Sequence, residues 1–489
     1  MAGKWRGYWW VPEDTEAALG GTAEVNDEGD IRLELVGGFE LRLSTPSRSG
    51  RGRTFDGRWR RLPIIHGASG AKKVTLIDSR VARQHGGIGE GSRIDHQDLT
   101  SRVLLVGVHL SSTDDPIFDS AQIRLENLAA WAGLGGVDYR FNEDGSESSA
   151  HITRPEAQVV EIPEATIRVS TTEGVFALEE LRDSVQITGS VKTVLWVTPS
   201  DSTTYTGFDR LTESLMDLLT LASGEACGIL GERLYYPDTF TGITPDGVSE
   251  TTPTAGLAEV IREKFYRGSA ESPSKDSRTF LFTCRDESFA NLVSRWLPLR
   301  ANAANACEVL FGLQYAPPEI PSVRLLAVAV AAEALHRALY PDTIAMLPRD
   351  FERISTQALR SIRDEDDGAW VRNRLRNEPS YRERMLDLAI KPAPEAVEFI
   401  IPDRDTWARD LGNARNGLAH SAKAAEARKM YDLESVTEQL LYLVLMAELG
   451  LSADVQLRAM QTNSYMGFLA RERTRAAEAN EGQQATDAG

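Results

Sequence analysis

Near one end of this 489-residue chain, Arg415, Asn416 and His420 stand within a single stretch of six residues. Arginine carries a permanent cation whose fork of donors fits a phosphate. Histidine exchanges a proton near neutral pH without help from its surroundings. The amide between them can orient a hydroxyl or the imidazole. Together the three can cleave RNA without a metal. The histidine would take the proton from a ribose 2′-hydroxyl. The freed oxygen would attack the adjacent phosphorus, while arginine stabilises the charge that builds there. The products would be a 2′,3′-cyclic phosphate and a 5′-hydroxyl, and DNA, lacking the nucleophile, would not be cut. Arg80 and His85 have a comparable separation, but Val81 fills the polar position and the surroundings are glycine-rich.

Such a trio needs a helix to position it. Trp407, Leu411, Ala414 and Leu418 recur at i, i+4, i+7 and i+11, a stripe that predicts a helix over 404–419. At about 100° per residue, Asn416 lies opposite that stripe, His420 shares its face, and Arg415 falls on the flank. Gly417 and Ala419 are small enough for another backbone or an RNA strand to come close. Gly417 is also a place where the helix can end. One arginine and one histidine make a poor catalyst, whereas an isologous dimer places two of each across its two-fold axis. The plain alternative is a surface pair, with His420 capping carbonyls at a helix end.

The elements around the trio divide the chain. Residues 1 to about 200 read as β-rich. Ile31, Leu33 and Leu35 alternate with polar residues, Gly37-Gly38 follows, and Phe39, Leu41 and Leu43 alternate again, a hairpin signal. Further strands are expected at 74–77, 103–110, 123–125, 159–162, 167–169, 185–187 and 191–197. Their spacing suits an antiparallel sandwich or barrel. A helix is expected over 208–222, strand-like pieces at 229–236 and 280–283, and a short helix near 257–265. Beyond about 286 only helices are predicted: 292–299, 303–313, 323–340, 354–362, 370–375, 381–390, 404–419 and 433–449. The fold class is therefore α+β and multidomain: a β-rich domain over 1–285, an all-α bundle over 286–470, and a polar, disordered tail over 471–489.

Bulk properties narrow the partners. A net charge of −18 argues against a protein that coats nucleic acid, so an RNA site needs a local basic pocket. Cys227, Cys284 and Cys307 form no zinc-like cluster and no disulfide framework. No metal or cofactor is expected, and a reducing cytoplasm suits the chain. The apolar runs 325–339 and 440–449 are too short or too interrupted to span a bilayer, and the first residues lack a signal-peptide stretch. The second run is expected to be a buried helix or part of a dimer interface.

Other candidates rank lower. Between Arg48 and Arg61 lie six arginines, including Arg53, Arg58, Arg60 and Arg61, interleaved with Phe55 and Trp59. That mixture suits single-stranded RNA, and a solvated hairpin loop is the favoured alternative. Glycines 86–91 lack the ending of a phosphate loop, and Asp364–Asp367 reads as a solvated turn. A carbohydrate-active β domain is discounted for want of a carboxylate pair.

The helix 323–340 and the stretch ARNGLAH at 414–420 resemble the HEPN domain of ApeA-type phage-defence proteins. The opening, GYWWVPEDTEAALGGTAEVNDEGDIRLELVGGF at 7–39, and IRLENLAAWAG at 123–133 are similar to the N-terminal domain of the same family. The resemblance covers roughly 5–465. It implies a metal-independent endoribonuclease with Arg415, Asn416 and His420 at the catalytic positions, working as at least a homodimer. It also implies an RNA substrate, tRNA among the candidates, a phage-derived protein as trigger, and an N-terminal sensor. HEPN domains often place an acidic residue in the first helix, which makes Glu333 a candidate to orient Arg415; His336 is expected to be structural. The other reading left open is a non-catalytic HEPN dimerisation and RNA-binding module with a ligand-sensing N-terminal domain.

Overall fold

The computed structural model describes residues 3–39, 44–46, 53–55, 61–86, 94–135, 137–142, 148–152, 155–172, 175–180, 182–183, 185–243, 249–263, 268–269, 275–417 and 424–487. By contacts the chain forms two units: Met1–Leu219 with Cys227–Asp276, and Thr220–Ala226 with Ser277–Gly489.

The first unit is built on a closed ring of antiparallel strands. Gly3–Trp10 pairs with Leu19–Val25, then Ile31–Val36, Ile94–Ser101, Lys72–Gly86 and Leu62–Ser69, which returns to the first strand. A closed barrel leaves no edge strand. Alternation fills it: Ile31, Leu33 and Leu35 point inward with Trp9, Ile65, Leu76 and Leu99, while Arg32, Glu34 and Val36 face out. Trp9 fits because Gly67 lies beneath it; a Cβ there would sit 2.3 Å from the indole. The strand Lys72–Gly86 also pairs with Val103–Val106. From there the sheet runs through Ser249–Arg262, Ile229–Ile243, Ser120–Leu125, Thr193–Pro199, Ala165–Thr171 and Gln158–Ile162. After a short helix α1 (Leu128–Ala132) comes α2 (Tyr205–Ser223), tied to this sheet by Thr212, whose hydroxyl donates to buried Glu232 at 2.8 Å.

Several expected elements differ in the structure. The strand from Ile31 pairs with Leu19–Val25 on one side and Ile94–Ser101 on the other, and the second hairpin arm expected at Leu41 and Leu43 lies outside the described residues. The helix expected near 257–265 is the strand Ser249–Arg262. Its Leu-Ala-Glu composition favours a helix, yet Gly256, Ala258 and Val260 alternate inward and pairing on both sides decides the outcome. Phe280, Leu281 and Phe282 are buried but irregular, so a continuous apolar run here marks core and not strand. Residues 471–487 of the expected tail belong to α13 (Ser464–Asp487). Their alanines, glutamates and arginines are strong helix formers, and Arg473 donates to the carbonyl of Ile400 at 3.0 Å.

The second unit is helical: α3 (Phe289–Asn302), α4 (Ala304–Tyr315), α5 (Pro321–Leu339), α6 (Pro348–Arg360), α7 (Glu365–Arg372), α8 (Tyr381–Ile390), α9 (Pro394–Ile400), α10 (Arg404–Gly417), α11 (Ala424–Glu448), α12 (Ala453–Thr462) and α13. Pro317, Pro318 and Pro321 separate α4 from α5, with Pro321 at the first helical turn of α5. Asp364–Asp367 are exposed, as expected of a solvated segment, but they form the cap and first turn of α7, with Asp364 accepting from the Asp367 amide at 3.0 Å. The run Leu440–Met446 of α11 is buried, making it the central helix of this unit. No helix among the described residues is long and apolar enough to cross a membrane.

Candidate active site at the end of helix α10

Three local features put Arg415 where it is. Asp403 starts α10 by accepting from the Thr406 amide at 2.9 Å. Trp407, Ala408 and Leu411 are buried, and the Trp407 indole donates to Thr437 of α11 at 3.0 Å, fixing the rotation of α10 about its axis. Two turns on, the helix emerges. Arg415 is half-buried, Asn416 and Gly417 are exposed, and a Cβ on Gly417 would meet nothing within 4 Å among the described residues.

Arg415 is held from two sides. Its Nη2 donates to Glu333 Oε2 at 2.6 Å, a charge-assisted bond of the strong kind. Its guanidinium carbon lies 4.6 Å from the centre of the Tyr381 ring, a cation–π contact. Tyr381 is itself anchored: its hydroxyl donates to the Ala329 carbonyl at 3.1 Å. Burial raises the phenol's pKa, with Arg415 pulling the other way, so the ring stays neutral beneath the cation. Ser380 sets Tyr381 at the start of α8 through a reciprocal capping box with Glu383.

Behind this pair runs a chain of alternating charge. Glu333 Oε1 accepts from Arg337 at 3.2 Å, Arg337 donates to Glu378 at 3.2 Å, and buried Arg384 donates to the same carboxylate at 2.9 Å. Beside it, His336 is fully buried and bonded through Nε2 to Asp387 at 3.0 Å. Its Nδ1 has no partner among the described residues, and burial lowers its pKa against the pull of Asp387. That is a neutral histidine tying α5 to α8, not a proton carrier.

Of the residues singled out from sequence, the structure brings Arg415 and Glu333 together, and Asn416, next to Arg415 in the chain, is exposed. His420 lies outside the described residues, as do Arg58, Trp59 and Arg60. Arg53 falls in a short strand, Arg53–Phe55, paired with Ser44–Pro46, and Arg61 lies 3.4 Å from Asp78 of the barrel. Arg53 and Arg61 both belong to the β unit. Sequence reasoning missed Tyr381, Arg337 and Glu378. Only Glu333 and Arg337, four apart on one helix, left a local signal; Tyr381 comes from another helix and left none. Among the described residues no group of three His, Cys, Asp or Glu is placed to hold a metal.

Comparison with known families decides the lineage. The model for the ApeA N-terminal domain 1 matches residues 4–296, more than half of the chain, and the model for the Apea-like HEPN domain matches 326–455. The chain belongs to the ApeA family. Its architecture is that of a HEPN-containing defence protein, and Glu333, Tyr381, Arg415 and Asn416 all fall inside the HEPN match. Searches of curated proteins and of solved structures found no match.

Proposed function

We propose that this ApeA-family chain is an anti-phage endoribonuclease that cuts RNA through 2′-hydroxyl attack, without a metal, at a site completed by a second copy. Residues 286–470 are the nuclease, and 1–285 its sensor, released by a phage-derived protein. The observation that carries the reading is the held guanidinium. Arg415 is fixed by Glu333 and Tyr381 at the open end of α10, next to exposed Asn416 and Gly417. A fixed cation costs no reorganisation when negative charge develops on phosphorus. His420, three residues past Gly417, is the general base and Asn416 orients it or the hydroxyl.

Support for the second copy comes from α5. Val323, Leu326 and Val330 are 47%, 41% and 43% exposed. At helical spacing they form one stripe that continues into Glu333. An uncovered apolar stripe ending at the candidate site suits an isologous contact that brings two arginines and two histidines into one pocket.

The test is cleavage of RNA, tRNA included, by purified wild type and by Arg415→Ala and His420→Ala, with EDTA present. The same proteins are expressed in phage-challenged cells. The nuclease reading expects fragments ending in cyclic phosphate, lost in both variants. Unchanged defence in both variants, with dimerisation and RNA binding intact, would replace it with the non-catalytic binding module.

A further inference from the structure

The sheet that carries α2 has a second face. Buried Glu232 gives one oxygen to Thr212 of α2 at 2.8 Å and the other to Arg262 at 2.8 Å. Its neighbour Arg233 is exposed and, because successive strand residues alternate, points the opposite way. Register carries a row of side chains across that outer face. Arg168 stands opposite Trp196, Trp196 opposite Gln122, Gln122 opposite Arg233, and Arg233 opposite Glu259. Arg168 and Arg233 are thus three strand spacings apart, about 14 Å. Arg124 and Lys192 join Arg233 around a cavity of about 160 Å³ on this face. The Arg124 guanidinium reaches over the neighbouring strand, its Nη1 3.7 Å from where a Cβ on Gly231 would stand. Arg124, Arg168, Lys192 and Arg233 form no ion pair among the described residues, whereas Arg32, Arg61, Arg80, Arg102 and Arg262 of the same unit are all paired. Nearby carboxylates are few. Glu232 is committed on the other face, and Glu126 accepts from the amides of Gly228 and Ser269 at 2.7 and 2.6 Å. That leaves Glu259 and, on the last strand, Glu161. Trp196 and Tyr235, both partly exposed, stack with their ring centres 5.7 Å apart and an angle of 28° between planes.

We propose that this outer sheet face binds a single-stranded nucleic acid, with bases stacked on Trp196 and Tyr235 and phosphates held by the four unpaired cations. Guanidiniums without carboxylate partners keep their forks of donors for phosphate oxygens. Aromatic rings accept any base by its π-face, and alternation of such rings with cations is how single strands are held without sequence preference. A duplex hides its base faces and could use only the cations. An acidic protein would likewise leave the aromatic pair without a role. Gln122, between Trp196 and Arg233, offers an amide that can donate to and accept from a base edge. This inference rests on the β unit alone and does not depend on the nuclease reading.

The experiment is a fluorescence-anisotropy titration of the full chain with a labelled twelve-nucleotide oligothymidylate, which has no 2′-hydroxyl to be cut. Binding is expected, weakening as salt rises. The double variant Arg124→Gln, Arg233→Gln should weaken it about tenfold or more. It should also lower the slope of log affinity against log salt by about 1.4, two phosphates at about 0.7 each. Trp196→Leu should weaken binding about fivefold or more and leave the slope unchanged, since it removes a stack and no charge. Glu259→Gln should tighten binding about twofold by removing the carboxylate opposite Arg233. Oligouridylate, titrated against His420→Ala so that it stays intact, sorts the source: tighter binding than oligothymidylate assigns RNA, weaker binding assigns DNA, and equal binding assigns a face that reads phosphate and base alone. Absence of binding, or equal affinity for a duplex of the same length, would overturn the proposal. So would polyglutamate binding as tightly as the oligonucleotide, which would assign an acidic protein instead. Binding lost in Arg415→Ala but kept in the face variants would place the oligonucleotide at α10 and overturn it too. The altered arginines are exposed or half-exposed, and circular dichroism would confirm that each variant folds.

Discussion

Helix α5 carries two arginine–carboxylate arrangements that differ in burial, and the difference separates scaffold from site. At its first turn Arg324 donates to Glu434 at 2.6 Å and to Glu438 at 3.1 Å, and Gln314 adds a bond to Glu438. Both carboxylates are buried, and burial raises the pKa of Glu438 against the pull of Arg324. Both carboxylates are spent on contacts within the helical unit, with side chains only 3% and 8% exposed. Further along the same helix Glu333 makes a bond of equal length to Arg415, but there the arginine is a third exposed and its neighbours Asn416 and Gly417 face solvent. One pairing locks α5 to α11. The other aims a cation outward.

The largest expected effect tests the open arrangement. Arg415→Ala should lower RNA cleavage by about 100- to 1,000-fold while changing unfolding free energy by no more than about 1 kcal/mol, since partly exposed pairs contribute little to stability. Single-turnover cleavage beside denaturant unfolding reads both. A variant that lost its fold along with its activity would erase the distinction between the two ends of α5.

The buried arrangement should behave in the reverse way. Arg324→Ala leaves two carboxylates without their cation inside the helical unit, a loss of about 3–5 kcal/mol, seen as a lower melting temperature. Cleavage per folded molecule should stay near wild type. If Arg324→Ala spared stability and removed activity, burial would be the wrong criterion.

Glu213 extends the comparison to a carboxyl whose nearest cation is already engaged. It is half-buried on α2 beside Asp209, while Arg262 is paired with Glu232 and Asp209. Burial, reinforced by Asp209 and opposed by Arg262, pushes its pKa from 4.5 up to about 7. The folded value lies above the unfolded one, so its stabilising protonation is complete below pH 4.5 and is lost as pH rises towards 7. The β unit should therefore lose about 1–3 kcal/mol over that window, and Glu213→Gln should flatten this part of the stability profile. An unchanged profile in the variant would show that the carboxyl is hydrated.

How much of this was readable in advance follows from which interactions are local. The helix α10, its apolar stripe and the exposure of Asn416 depend on period alone, and Trp407, Leu411 and Asn416 stand where the spacing put them. Strands with clear alternation, such as Ile31–Val36, were equally legible. Barrel closure was not, because Leu19–Val25 is glycine-rich and Ile94–Ser101 is mostly polar; both are strands only because their neighbours supply hydrogen bonds. Glu333 was a candidate through family resemblance, whereas its contact with Arg415 spans 82 residues and only the fold could supply it.

Tyr381 is the sharpest case of that kind, and the smallest effect. It contributes a face to Arg415 and a hydroxyl to Ala329, and the two can be separated. Tyr381→Phe keeps the face, so cleavage should stay within about twofold of wild type. Tyr381→Leu keeps bulk but removes the π-cloud, worth about 1 kcal/mol at a partly exposed site, so cleavage should fall about fivefold. The loss should lie in the rate of the bound complex and not in RNA affinity, because Arg415 would still carry its charge but sample more orientations. Equal behaviour of Phe and Leu would mean that Glu333 alone holds Arg415. A fall in both would instead point to the hydroxyl, and so to the anchoring of α8 on α5, as what keeps the open end of α10 in place.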